Sequence, residues 1–348
     1  MSPAAARSGI AVEVIDPTMV TVASLRPWWA VLTTTEAARC PGSPLDPLEE
    51  SVAELRGTPP SVHRAILAGT RDPATGRPAG FVLAWTHERD NTHSLDVGHL
   101  AAHPEQRRRG HGAALLDHLR RVAADNGRTQ VHLSVTEPLG SDGTGVPGSE
   151  FARAAGAVDV ALELRRTLDL TRTADGDPRV GSPGVAAGYE LLGWDDATPE
   201  PLLEAMAGLR AGISVDAPAE DATLEAEVWD TDRVRIADAH TIASGRASAT
   251  TAAAHVASGQ LVAYTMLAAN REHPSVGFQW DTFVTGAHRG NGLGLAVKQA
   301  NTRRFRALSP GTRTVHTWNA AVNGHMIAIN EALGYVPIAQ DRAFELRL

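Results

Sequence analysis

The sequence is short of cysteine, aromatics, positive charge and long apolar runs, and each shortage excludes something. One cysteine, Cys40, among 348 residues cannot form an intramolecular disulfide. That fits a reducing compartment, and we expect a cytoplasmic protein. Cys40 sits in "ARCPGSP", a proline-rich loop entry that reads as structural rather than catalytic. No apolar stretch approaches the ~18 residues of a membrane-spanning helix, so no membrane partner is expected. The opening "MSPAAARSGIAVEVID" lacks an apolar segment long enough for a signal peptide. Acidic residues outnumber basic ones, 40 to 32, for a net charge of −8. Nucleic acid is therefore excluded as a general partner, since only Arg107–Arg108–Arg109 forms a local basic patch.

The 43% of hydrophobic residues suffices for two cores in a chain of this length. Residues 171–188, "TRTADGDPRVGSPGVAAG", have no apolar period and read as a linker between domains at 1–170 and 189–348. The first half predicts a strand at "IAVEVID", a helix near 21–38, and strands at 62–68, 80–86 and 95–102. "DPATGRP" turns the first pair. "RRRGHG", a helix near 111–125, the strand "TQVHLSV", a short helix and "VALELRRTL" follow. The second half repeats the order, from "YELLGW" through helices near 199–210 and 221–243 and strands near 250–257, 260–268 and 276–285. "HRGNGLG" then leads a helix to about 307, "RTVHTWN", a helix near 323–332 and "YVPIAQDRAFELRL". Superimposing Gly110 on Gly292 also brings His99 onto Asp281. A repeat of about 180 residues means a duplicated domain, not a solenoid. Both helices after the loops carry a buried stripe: Leu115, Leu116, Leu119, Val122 and Ala123 in one, Val297, Ala300 and Phe305 in the other. Trp28 and Trp29 are expected to be packing residues.

Three glycines at a helix start cost stability unless a bare backbone is needed there. A strand, a glycine turn and a helix N-terminus leave several N–H groups converging at the positive end of the helix dipole, which makes an anion site. Arginine adds a charged hydrogen bond. A Walker A loop would end in Gly-Lys-Ser/Thr and a Rossmann loop needs G-x-G-x-x-G; neither spacing is met. His99 and His103 in "HLAAH" lack a third ligand, so no metal is expected.

Both loops fit Arg/Gln-x-x-Gly-x-Gly/Ala, as Arg107-x-x-Gly110-x-Gly112 and Arg289-x-x-Gly292-x-Gly294. This resembles the pyrophosphate loop of GNAT-type N-acetyltransferases. "QWDTFVTGAHRGNGLGLAVKQANT" is similar to that family's fourth strand, loop and third helix. "TWNAAVNGHMIAINEALGYVP" is similar to its fifth strand and fourth helix; "GHLAAHPEQRRRGHGAALLDHL" and "EFARAAGA" follow the same plan. The resemblance implies an α/β (α+β) fold: two tandem GNAT domains, each a mixed, mostly antiparallel sheet flanked by helices, with splayed fourth and fifth strands. It also implies acetyl-coenzyme A as co-substrate. The coenzyme would be held by Phe283, Val284, Arg289, Gly290, Asn291, Gly292, Leu293 and Gly294, with Asn319 and Asn323. Ala102, Arg107, Gly110, His111 and Gly112 would be the counterparts in the first half.

Acyl transfer to an amine needs a polarised thioester carbonyl, a neutral amine and a stabilised thiolate. The resemblance implies direct attack, with backbone N–H groups near Phe283 and Val284 polarising the carbonyl. Asp281 is placed as the general base, on the same face as Gln279 and Phe283 if its strand is regular; His99 could serve likewise. The tyrosine that commonly acts as general acid in the family is replaced by Asn330 and, in the first half, by Ala152. Asn330 is therefore the candidate thiolate-stabilising residue. The second half, with a complete loop, a strand carboxylate and asparagines, is expected to catalyse, and the first to be degenerate. The acceptor is expected to be a small-molecule primary amine, favoured as cationic by Asp216, Glu220 and Asp221, and the protein a monomer or homodimer. A non-catalytic acyl-coenzyme A sensor, and transfer of a longer acyl group or to a hydroxyl, stand as alternatives.

Overall fold

Asp72 builds the first hairpin turn. Its carboxylate accepts the Ala74 N–H at 2.9 Å and the Thr75 hydroxyl at 3.0 Å. Gly76 supplies the positive φ of 69° that the turn then needs. The strands joined are β2 (His63–Arg71) and β3 (Pro78–His87), numbered after β1 (Val12–Ile15), α1 (Val22–Arg39) and α2 (Leu48–Gly57). The computed structural model describes residues 9–39, 44–57, 63–172, 184–216 and 223–348. Cys40, Glu220, Asp221, the side chain of Asp216 and linker positions 173–183 lie outside the described residues.

The chain divides into two units, one of residues 1–137, 142–160 and 342–348, the other of 138–141 and 161–341. Unit 1 continues with β4 (Ser94–Ala102), α3 (His111–Asp125), β5 (Gln130–Glu137) and α4 (Pro147–Ala154). Its sheet runs β1-β2-β3-β4-β5, antiparallel except where β4 meets β5. One face buries the leucine stripe of α3, Leu115, Leu116 and Leu119, against Val82, Leu95 and Val131. The other buries Leu25, Trp28, Trp29 and Leu32 of α1, with Val52 and Leu55 of α2, against Leu67, Phe81 and Leu83. Each such side chain contributes about 1.5–3 kcal/mol of burial. Helix α2 is an addition to the sequence expectation; its Leu48, Val52 and Leu55 make only two turns of apolar period.

Apart from residues 138–141, unit 2 begins within β6 (Val158–Asp169) and contains β7 (Tyr189–Asp195), α5 (Leu203–Asp216), α6 (Thr231–Ala243), β8 (Arg246–His255), β9 (Gln260–Asn270), β10 (Val276–Val284), α7 (Leu293–Leu308), β11 (Thr314–Ala320) and α8 (Gly324–Ala332). The last strand, β12 (Val336–Arg347), belongs to unit 2 up to Asp341 and to unit 1 from Arg342. The order is β6-β11-β10-β9-β8-β7, with β10 and β11 the parallel pair. Helix α7 covers one face through Val297 and Phe305. Helix α5 covers the other, placing Met206 and Leu209 on Tyr264 and Phe283. The helix expected over 221–243 starts only at Thr231. Asp230 caps it by accepting the Arg233 N–H at 2.7 Å, and Leu224 and Val228 before it are exposed.

Candidate active site

The same backbone path occurs twice, 182 residues apart. A 3₁₀ turn, Pro104–Gln106 or Gly286–His288, leads to an extended arginine, Arg107 or Arg289. The next residue has positive φ (Arg108, 63°; Gly290, 80°), and two further on so does the helix cap (Gly110, 93°; Gly292, 70°). Neither cap residue makes a side-chain hydrogen bond to the helix start, so the first N–H groups of α3 and α7 are left for a ligand. A Cβ on Gly290 or Gly292 would meet nothing within 4 Å, so these glycines serve conformation and access. Gly294 differs: its Cβ would lie 3.0 Å from Ile329 Cδ1, so the glycine lets α7 and α8 approach. Asn291 braces the loop, its amide donating to the His288 carbonyl at 3.1 Å. Arg289 folds back, Nε donating to the Val284 carbonyl at 3.1 Å. Leu293 is buried and offers only its backbone.

Below each loop the parallel strands part. β10 pairs with β11 only from Val276 to Phe278, and β4 with β5 only from Ser94 to Val97. Beyond those points the strands form no further ladder among the described residues; Val284 turns its backbone toward the gap, whereas Phe283 stays paired with Tyr264 of β9. Ala102 ends the corresponding stretch of β4; its carbonyl accepts the Thr35 hydroxyl at 3.3 Å. A strand gap leading to an uncapped helix start fits an extended chain ending in phosphates.

Each splayed strand also carries a bulge against its antiparallel neighbour. Leu83 and Ala84 pair with His99 and Val97, leaving Gly98 over. Gln279 and Thr282 pair with Leu267 and Thr265, so three steps on β10 match two on β9. The expected regular alternation is therefore corrected. Gln279 turns to the α7 side, where its amide donates to the Thr265 hydroxyl at 2.9 Å. Phe283 turns to the α5 side, against Gly212, and the bulge at Trp280–Asp281 is what reverses the faces. Asp281 follows Phe283: its Oδ2 accepts the Tyr264 hydroxyl at 2.9 Å.

Burial is the main influence on Asp281 and pushes its carboxyl above the usual range; the Tyr264 hydrogen bond and Arg210 oppose this, and Glu227 reinforces it. Burial, with the neighbouring carboxylate, holds the Tyr264 phenol well above its usual value. Tyr264, Arg210 and Glu227 are the members of this site that sequence reasoning missed. A lone tyrosine in the strand "LVAYTML" reads as core, and only the bulge brings Asp281 to it.

The asparagines divide their roles. Asn330 is fully buried, donates to Asn319 Oδ1 at 2.6 Å, and keeps its own Oδ1 without a partner. Asn319, half-buried on β11 past the parting of the strands, is the more accessible of the two. Asn323 caps α8, accepting the Met326 N–H at 3.1 Å, so its side-chain oxygen is engaged. In unit 1 the His111 ring is buried, with Nδ1 3.0 Å from the Thr70 hydroxyl, which leaves only its backbone to a ligand. Gly112 packs beside Phe151, 3.5 Å from where a Cβ would sit. Among the described residues no group of three His, Cys, Asp or Glu is arranged to hold a metal, and no helix is long and apolar enough to cross a membrane.

The sequence model of the acetyltransferase (GNAT) family matches residues 32–140, all of which but 138–140 lie in unit 1. No curated protein sequence matches the chain. Among solved structures, a tandem GNAT protein from the clavulanic acid biosynthesis pathway, solved without AcCoA, is similar with 28% identity and a TM-score of 0.79. The match covers 97% of this chain and 98% of that one. A GCN5-related N-acetyltransferase from Sphaerobacter thermophilus shares the fold at 14% identity and a TM-score of 0.66, over 97% and 95% of the two chains. An acetyltransferase of the GNAT family from Colwellia psychrerythraea does so at 12% identity and 0.52, over 97% and 100%.

Proposed function

We propose that the chain is an acyltransferase of the GNAT family, built as two such domains in tandem, and that its second unit acetylates the primary amine of a small molecule. The family match over residues 32–140 and the similarity to a tandem GNAT protein over 97% of the chain support this. Acetyl-coenzyme A is the donor. Arg289 and the N–H groups from Gly290 to Gly294 would hold its pyrophosphate, and the open edges of β10 and β11 its pantetheine arm. The thioester supplies an activated acyl carbon; this chain supplies position, polarisation and a base.

The observation that carries the reading is Asp281. A bulge sets this carboxylate beside the open strand edge, on the α5 face, held by Tyr264. An ammonium acceptor must lose a proton before or as it attacks, and a partly buried carboxylate with a raised pKa is suited to take it. Attack on the carbonyl carbon forms the C–N bond and breaks the C–S bond. The electron pair leaves with sulphur, which takes up a proton. Asn319, oriented by Asn330, is the side-chain amide positioned to donate to the developing thiolate where the family commonly uses a tyrosine.

The test is calorimetry with acetyl-coenzyme A alongside thiol release over a panel of primary amines. Binding with amine-dependent turnover supports the enzyme. Binding without turnover on any amine, with longer acyl donors or with hydroxyl acceptors, supports a sensor instead. A preference for longer acyl donors, or for hydroxyl acceptors, revises the substrate class and leaves the site intact.

A further inference from the structure

His99 occupies in unit 1 the place that Asp281 occupies in unit 2. It follows the bulge at Gly98, as Asp281 ends the bulge at Trp280–Asp281. It faces the α1 side of its sheet, 6.2 Å from the Trp29 ring in an edge-on arrangement, as Asp281 faces α5. Phe81 pairs with Ala101 as Tyr264 pairs with Phe283, so the hydroxyl that accompanies the carboxylate is replaced by a bare ring, which meets the Trp29 ring edge-on as His99 does. The strand gap begins two residues before His99, and the uncapped start of α3 with Arg107 and Gly110 stands at its far end. The asparagine pair is lost as well, with Val135 and Ala152 in its place, and both belong to the apolar core.

We propose that unit 1 is a second acyl-transfer site, separate from that of unit 2, in which His99 is the base for attack of an amine on an acyl-coenzyme A thioester. The imidazole takes the amine proton as the C–N bond forms. The C–S bond breaks and its electron pair leaves with sulphur, which is protonated from solvent where no side chain donates. The charged groups around His99 are Glu36 and Arg39 from α1, which pair with each other, and Asp46 from the segment before α2. Burial outweighs the two carboxylates and holds the ring below its usual pKa, so it is neutral and able to accept a proton at pH 7. The proposal shares with the preceding reading only the assignment of the loops to coenzyme A; its residues are different ones.

Two measurements on the full chain test it. Calorimetry with acetyl-coenzyme A should count two sites in the wild type, one in Arg289→Glu and none in Arg107→Glu/Arg289→Glu. Turnover is followed as thiol release from acetyl-coenzyme A with hydroxylamine, a nucleophile small enough to need no acceptor pocket. Asp281→Asn should keep measurable turnover, rising with pH to a plateau whose midpoint lies below the ordinary histidine value. Adding His99→Gln should lower that residue of activity at least tenfold. Melting curves accompany each variant, with His99→Asn as the substitute if the glutamine variant unfolds early. Equal rates for Asp281→Asn and the double variant, or loss of all binding in Arg289→Glu, would overturn the second site and leave the first. Indifference to Asp281→Asn with loss on His99→Gln would instead remove the unit 2 reading and leave this one.

Discussion

The Tyr264 hydroxyl donates to Asp281 Oδ2 at 2.9 Å from the strand alongside, and among the described residues it is the one side chain that hydrogen-bonds this carboxylate. Burial raises the Asp281 pKa and the phenol holds it down. Removing the hydroxyl in Tyr264→Phe should raise it further. The acid limb of the unit 2 pH–rate profile should then move to higher pH while coenzyme affinity is unchanged. A limb that stays in place would show that Tyr264 is packing alone. Measured in the His99→Gln background, Asp281→Asn should lower kcat/KM by about 10²–10⁴. Its stability should move the other way. A carboxyl whose folded pKa is raised costs stability as pH climbs through the range above the unfolded value of about 3.9. The asparagine variant should therefore melt higher than wild type at pH 7, and the difference should vanish near pH 3.

At the loop, valine at Gly292 would need φ near 70°, a conformation that costs an L-residue about 1–2 kcal/mol. Its side chain would also stand in the open space the phosphates need. Gly292→Val should abolish coenzyme binding in unit 2. Arg289→Ala, which keeps the backbone path, should weaken it by about 1.5–3 kcal/mol, the worth of a charged hydrogen bond. Calorimetry resolves both, and an unchanged affinity in Arg289→Ala would make that arginine a brace for Val284 only.

Much of this was legible in the sequence because periodicity and glycine spacing are local signals. The order of strands and helices, both loops and the apolar face of α3 follow from residues within one or two turns of each other. What was not legible is the bulge. "Gln279-Trp280-Asp281-Thr282-Phe283" alternates well enough to read as regular, and the extra residue is defined only by its pairing with β9. Tyr264 was hidden for the same reason. The start of α6 was misread because Asp230, one acidic residue among several, is distinguished as a cap only by the hydrogen bond it makes. Gly69 carries no turn signal at all, yet a Cβ there would lie 2.2 Å from the Trp28 ring.

The C-terminal residues test the division into units. Arg342 makes a two-pronged contact with Glu137, at 3.0 and 3.1 Å, and also reaches Asp159 at 3.2 Å. The Glu137 side chain is wholly buried and also accepts the Ser149 hydroxyl at 2.6 Å. Arg342→Ala would take from that carboxylate its two-pronged cationic partner, and breaking a buried pair in this way typically costs about 3–5 kcal/mol. The unfolding transition of unit 1 should shift by that order in denaturant, with increased amide exchange in β5 and α4. Glu137→Gln added to Arg342→Ala should recover most of the loss. No recovery would mean that Arg342 acts through its contact with Asp159.

Lys298, the only lysine in the sequence, is buried in α7 on the face that carries Val297 and Phe305. Among the described residues no carboxylate pairs with it; its ammonium lies 5.5 Å from the Tyr335 ring, whose hydroxyl has no partner among them either. Burial brings the Lys298 pKa down to about 7 and pushes the Tyr335 phenol well above its usual value. The folded protein therefore binds this proton less well than the unfolded chain between pH ~7 and the ordinary lysine value of ~10.4. Stability should rise with pH across that window, because the unfolded state then holds the extra proton. Below pH 7 the cost is at its full value, since the ammonium must be buried or give up its proton on folding. Lys298→Met keeps the length of the side chain and removes the charge, so it should melt higher than wild type at pH 7. The gap should narrow toward pH 10, where wild-type Lys298 folds without that cost. Melting curves at pH 7 and pH 9.5 decide it: a constant gap would mean that the amine keeps its charge in the folded core, stabilised by the face of Tyr335.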